Sequence, residues 1–169
     1  MKKRNLIMPT LLLLAFASLS CGPRTSEEYR EEAMDRMTQE DYEGAIRYYR
    51  KAITLEENET EKGRISCEIG LALYQLYQYA HAIEAIEQGL RLCPDYSTAY
   101  GVLGLSYYYL DPVTYRDRVR NNLQEYIRRE PDNLMVPNFQ EILHQLEAPP
   151  AAGKADSPGE GPEPPQEEE

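Results

Sequence analysis

Ile69-Gly70-Leu71-Ala72-Leu73-Tyr74, followed by Tyr79-Ala80-His81-Ala82-Ile83-Glu84-Ala85-Ile86-Glu87-Gln88-Gly89-Leu90, is the stretch that decides the fold. Ile69, Leu73 and Leu76 recur at helical spacing and form an apolar stripe, with Gly70 as a notch beside it. Ala82, Ile83, Ile86, Gly89 and Leu90 repeat the device on the following segment. Small residues at a crossing point let two backbones approach closely, and bulky neighbours fill the space on either side. The stretch therefore predicts two antiparallel helices. Such a hairpin cannot bury its own faces and must stack on neighbours of its kind, of which about three are needed.

Those neighbours are present on both sides. Upstream stands Asp41-Tyr42-Glu43-Gly44-Ala45-Ile46-Arg47-Tyr48-Tyr49-Arg50-Lys51-Ala52-Ile53-Thr54-Leu55, and downstream Tyr100-Gly101-Val102-Leu103-Gly104-Leu105-Ser106-Tyr107-Tyr108, closing with Tyr126-Ile127 and Pro131-Asp132-Asn133. These strings resemble the tetratricopeptide repeat (TPR), a helix-turn-helix unit. In register, the repeats are 26–59, 63–96 and 97–133. The small residue midway along the first helix is Ala33, Gly70 and Gly104; that early in the second is Ala45, Ala82 and, departing, Val119. The bulky residue four positions on is Tyr49, Ile86 and Leu123, and the late small position is Ala52, Gly89 and, departing again, Tyr126. Pro94 and Pro131 close the second and third units, and Glu57 stands in that place in the first. The third unit also needs three extra residues around Asp111-Pro112-Val113. The fold class is thus all-α, an α-solenoid of about three TPR hairpins over 26–147. Phe139, Ile142, Leu143 and Leu146 predict a C-terminal capping helix over 137–147, with Pro137 suited to its first turn. Thr25, with Glu28 three residues on, is a capping-box signal for the first helix.

The two ends are unlike this body. Residues 148–169 hold 6 of the 12 prolines, 3 of the 10 glycines and a net charge of −5. They cannot bury enough apolar surface to offset the entropy of ordering, and a disordered acidic, Pro-rich tail is expected. Residues 1–20 read as an export signal, with Met1-Lys2-Lys3-Arg4 as its basic start and Leu6–Leu19 as an apolar run too short to span a bilayer. Two processing readings stand side by side. Ala15-Phe16-Ala17 suits ordinary cleavage and a secreted or soluble periplasmic product. Ser18-Leu19-Ser20-Cys21 resembles a bacterial lipoprotein box, with leucine one place later than that box favours. It implies lipidation of Cys21, a tether over 21–25 and anchoring in the cell envelope, at the outer membrane facing the periplasm.

The whole chain carries −11, with its one basic cluster in the leader. That balance argues against nucleic acid as a partner. The search for chemistry yields little. The only histidines, His81 and His144, are far apart, and Cys67 and Cys93 have neither C-x-x-C nor haem-attachment spacing. No phosphate-cradling glycine loop occurs. The carboxylate runs Glu27-Glu28-x-x-Glu31-Glu32 and Glu56-Glu57-x-Glu59 read as solvated faces. Neither an enzyme nor a cofactor is expected. Cys67 and Cys93 fall at the same end of the second hairpin, leaving a disulfide or two separate thiols open.

Tyrosine is the informative residue: all 14 fall between Tyr29 and Tyr126, against two phenylalanines and no tryptophan. Tyr42, Tyr49 and Tyr79 occupy positions the family fills with bulky groups. The resemblance further implies a concave surface lined by the first helix of each unit. Carried over, it names Arg30, Met34 and Met37; then Cys67, Leu71, Tyr74 and Gln75; then Gly101, Leu105, Tyr108 and Tyr109. This is a largely apolar, aromatic trough without the Lys and Asn pairing of members that clamp a C-terminal carboxylate. It suits a protein or peptide partner, an apolar segment or amphipathic helix, to which tyrosine offers large area and a hydroxyl handle. The cap or tail could also fill it. The alternative function is carriage of an apolar small molecule in a closed TPR pocket.

Overall fold

The computed structural model describes residues 23–147, and these form seven α-helices: α1 (Ser26–Thr38), α2 (Tyr42–Leu55), α3 (Glu59–Gln75), α4 (Tyr79–Leu92), α5 (Ser97–Leu110), α6 (Arg116–Arg129) and α7 (Val136–Glu147). No strand occurs among the described residues. Three hairpins, α1–α2, α3–α4 and α5–α6, stack in chain order, and α7 lies against α6 as the cap. The molecule is a TPR-like helical solenoid of about three repeats.

Local chemistry sets the helix starts. The Thr25 hydroxyl accepts from the Glu28 amide while the Glu28 carboxylate accepts from the Thr25 amide, completing the capping box. Asp41 caps α2 through the Gly44 amide, and Asn58 caps α3 through the amides of Thr60 and Glu61. With that cap, residues 60–62 become the first turn of α3, and its helical stripe begins a turn ahead of the repeat register. The cap helix likewise starts one residue before Pro137, which sits in its first turn.

Both early hairpins turn through the same device. The Asp41 amide bonds the Arg36 carbonyl and the Glu40 amide that of Met37; the Gln78 amide bonds the Leu73 carbonyl and the Tyr77 amide that of Tyr74. These are Schellman closures, in which the residue past the helix end adopts a left-handed backbone and is usually glycine. Here Glu40 (φ 60°) and Tyr77 (φ 58°) occupy it. In the third hairpin the inserted residues make a different turn, held by Asp111, whose carboxylate accepts from the amides of Val113 and Thr114.

Apolar burial runs along the stack as three clusters. A small one joins α1, α2 and the start of α3 around Ala33, Tyr49, Ala52 and Ile65, and a second joins α2, α3 and α4 around Ile46, Ala72, Leu73 and Ala82. The largest reaches from Cys67 through Ile86, Leu103, Val119 and Leu123 to Phe139 and Leu146. At Gly89 the helices are so close that a β-carbon would lie 2.5 Å from the Gly63 carbonyl oxygen and 2.4 Å from the Cys67 sulfur. The departures in the third unit are resolved by exchange of volume. Tyr126, where a small residue is usual, lays its ring over Gly101 and meets Phe139 edge-on at 5.0 Å, and Val119 is wholly buried.

Candidate functional site

The first helices of the units face one another through side chains. Arg30 on α1 reaches Glu68 on α3, Tyr74 on α3 reaches Tyr109 on α5, and Tyr108 on α5 reaches Gln145 on α7. Together they form one surface, with two chemically different halves.

The half nearer the N-terminus is charged. Arg30 makes a two-pronged contact with Glu68, Nε to Oε2 at 3.1 Å and Nη2 to Oε1 at 3.0 Å, and a further one with Glu61 at 3.4 Å. Arg64 stands 3.5 Å from Glu61 with its guanidinium over the Tyr96 ring. Glu68 is buried, so the pair is shielded from water on the carboxylate side. The Glu68 hydrogen bond raises the Arg30 pKa against the opposing effect of burial. Burial, with Glu68 nearby, pushes the Tyr96 phenol up to about 12.

Nearer the C-terminus the surface is a ledge of tyrosines. Tyr79, at the start of α4, stacks on Tyr109 with ring centres 5.4 Å apart and planes 20° from parallel. Tyr74 packs against both, at 5.8 Å and 6.3 Å, while Tyr77 meets Tyr79 edge-on at 6.3 Å and Tyr108 meets Tyr109 edge-on at 5.5 Å. Tyr77 is exposed and the other four are half-buried. Burial, then the neighbouring phenols, raises the pKa of Tyr74 and Tyr79, so both stay protonated and can donate hydrogen bonds at neutral pH. Tyr77 is the most open of the five rings, whereas Tyr79 and Tyr109 turn a face to each other and the Tyr108 hydroxyl is bonded to Gln145.

Of the residues carried over from the resemblance, the structure gathers Tyr74, Tyr108 and Tyr109 on the ledge. Met34 and Gln75 are exposed, and Leu71 is half-buried on α3. Met37 packs against the first two apolar clusters and Leu105 against the largest. Arg30 is engaged by Glu68. Two residues leave the surface: Cys67 is buried facing α4, its thiol 3.9 Å from the Ile86 carbonyl, and Gly101 lies beneath Tyr126 and Phe139. Both Cys67 and Cys93 are free thiols, and burial pushes that of Cys67 up to about 12. Cys21 and the rest of the leader, together with the tail 148–169, lie outside the described residues.

Sequence reasoning missed Glu61, Arg64 and Glu68, and with them the charged character of half the trough. The signal was available: Glu61, Arg64, Glu68, Leu71 and Gln75 recur at intervals of three and four and make one stripe of α3. On the opposite side of α3, a cleft of about 370 Å³ opens between α2 and α4, lined by Ile53, Ile69, Leu73 and the more polar Arg50, His81 and Glu84. Among the described residues no helix is long and apolar enough to cross a membrane, and no three His, Cys, Asp or Glu side chains are grouped to hold a metal ion.

The fold places the chain among TPR-like helical solenoids. A family model described as "Tetratricopeptide repeat" matches residues 36–59 and 63–96. Among solved structures the chain is similar to the first TPR of Spaghetti (RPAP3) bound to an HSP90 peptide, SRMEEVD, at 18% identity and a TM-score of 0.63, covering 72% of this chain and 91% of that one. It is also similar to the Arabidopsis OM64 TPR domain, at 18% identity and a TM-score of 0.63 over 71% and 94% of the two chains. The Sgt2 TPR domain from Aspergillus fumigatus is similar at 21% identity, with a TM-score of 0.61 over 82% and 97%. At these identities the likeness is one of fold. No curated protein sequence matches the chain.

Proposed function

We propose that the chain is a protein-interaction module anchored in the cell envelope through a lipid on Cys21, and that it holds an apolar segment of a protein partner against its tyrosine ledge. The observation that carries the reading is the convergence of Tyr74, Tyr77, Tyr79, Tyr108 and Tyr109, from α3, the α3–α4 turn, α4 and α5, on one surface. Repeat domains of this fold have been solved with peptides bound, among them the HSP90 peptide SRMEEVD. That peptide ends in acidic residues, whereas Arg30 here is already held by Glu68 and Glu61. The choice of ligand therefore falls to the tyrosines, each able to contribute large contact area at small entropic cost.

Crosslinking in the native membrane tests the reading. A specific envelope protein should be captured by the native chain and lost when Tyr74→Ala and Tyr108→Ala are combined, with helicity unchanged. Retention of the same crosslink by that variant would sink it. For the anchor, Cys21→Ser should move the protein out of the detergent phase. Should lipid instead co-purify and be released by Tyr74→Ala, the small-molecule carrier takes precedence.

A further inference from the structure

Where the chain leaves the fold decides what lies nearest the ledge. Helix α7 ends at Glu147, and two residues earlier Gln145 accepts a hydrogen bond from the Tyr108 hydroxyl at 3.4 Å. Arg116 donates to the carbonyl of Leu146, which fixes the end of α7 on α6. The exit point is therefore at the rim of the tyrosine ledge, and the next residues are Ala148-Pro149-Pro150. Further on stands Pro162-Glu163-Pro164-Pro165, a Pro-x-x-Pro string.

Prolines in this density favour the extended polyproline II conformation, which rises about 3.1 Å per residue, and aromatic-lined grooves recognise it at low entropic cost. Tyr77, Tyr79, Tyr109 and Tyr108 follow one another with ring centres 6.3, 5.4 and 5.5 Å apart. Two residues of polyproline II advance about 6.2 Å, so alternate positions of such a segment can meet successive rings. Tyr77 stands in the left-handed position of the turn, which Glu40 fills in the first hairpin, and sets its exposed ring beside Tyr79.

We infer that the ledge is a polyproline-binding surface and that its resident occupant is a stretch of about six residues within this chain's own segment 149–165. A segment joined so closely to its site acts at an effective concentration in the millimolar range, so even weak stacking keeps it seated. A partner segment that uses the same rings would compete with it. The inference rests on the groove reading above, since both use the same rings.

The test uses the full chain, native and with all six tail prolines replaced by Ala, and as probe a synthetic peptide of residues 148–169. The peptide should bind the tail-substituted chain at least ~10-fold more tightly than the native one, which carries its competitor. Adding Tyr109→Ala to the tail-substituted chain should abolish that binding, with circular dichroism confirming the fold. Equal affinity for native and tail-substituted chains, or no binding to either, overturns the inference. A photocrosslinker at position 151 should reach α4 or α5 of the same chain; crosslinks only between two copies overturn the intramolecular assignment. If the peptide fails to bind yet Tyr74→Ala with Tyr108→Ala still loses the envelope crosslink, the tail inference falls and the groove reading stands.

Discussion

Arg30 and Glu68 join the first hairpin to the second through two parallel contacts of 3.1 and 3.0 Å between side chains 38 positions apart in sequence. The geometry is the bidentate fork to which a guanidinium is suited. Because Glu68 is buried, removing its partner leaves a carboxylate with much of its hydration already lost. Arg30→Met should cost about 2–3 kcal/mol, somewhat below the ~3–5 kcal/mol typical of a fully buried pair, since water still reaches Arg30. Arg30→Met with Glu68→Leu should return to within about 1 kcal/mol of the native chain. Denaturant melts of the four members of the cycle check this, and additive losses would show that the pair is not coupled.

Glycine at position 89 serves closeness, and the sign of a substitution exposes it. In an unpacked helix Gly→Ala gains up to about 1 kcal/mol. Here the new carbon would lie 2.5 Å from the Gly63 carbonyl oxygen and 2.8 Å from the Cys67 amide nitrogen, both backbone atoms that cannot swing aside. Gly89→Ala is expected to destabilise by about 2–3 kcal/mol, read as a lower midpoint in urea with an unchanged slope.

The two left-handed turn residues make a matched pair of probes. Glu40→Gly should relieve about 1 kcal/mol of strain and raise the melting temperature by roughly 4 °C. Tyr77→Gly relieves the same strain but removes a ring from the ledge. It should leave stability equal or higher while capture of the proposed partner weakens; undiminished capture would take Tyr77 out of the site.

The repeats were legible because close packing constrains residue size in a way that survives in one sequence. A β-carbon at Gly70 or Gly104 would run into Ile86 or Leu123 of the facing helix, and Ala45 and Ala82 are wholly buried. The site was legible only in part. Tyr74, Tyr108 and Tyr109 follow from the concave positions that the resemblance carries over, but Tyr77 enters the ledge through a turn, and Tyr79 through the first residue of a second helix, at a position the family fills with bulky groups. Glu61, Arg64 and Glu68 look like a solvated stripe until α1 is laid beside α3. Charge alone does not say whether a carboxylate meets water or a guanidinium.

Acid should act on the third hairpin through Glu125. Hydrogen bonds from Arg128 and Arg129 hold its carboxyl down at about 2. In the unfolded chain a glutamate titrates near 4.3, so the contribution is complete above that value and is lost as the pH falls through about 2. The site is open to solvent, and the effect is correspondingly small. Melting temperatures of the native chain and Glu125→Gln should differ slightly above pH 5 and converge by pH 2. A constant gap across that range would remove the pair from the account.

Thiol chemistry offers a readout of opening. Cys67 and Cys93 are both buried, and the Cys67 thiol, pushed up to about 12, is almost wholly protonated at neutral pH. Neither should react with an alkylating reagent in the native chain, and both should react in denaturant, as mass spectrometry will show. Rapid labelling of the native chain would contradict the packing of α3 on α4.

The uneven distribution of apolar clusters along the stack has a consequence for the order in which the molecule comes apart. The cluster spanning α3 to α7 is a single large unit, whereas α1 and α2 share a small one, closed at its outer edge by Tyr29, Tyr48 and the cations of Lys51 and Arg36. In a linear array each unit is held only by its neighbour. Amide hydrogens of α1 and α2 should therefore exchange through a partial opening that leaves the remainder native, so the N-terminal hairpin would be the first part of the stack to yield to a mechanical load.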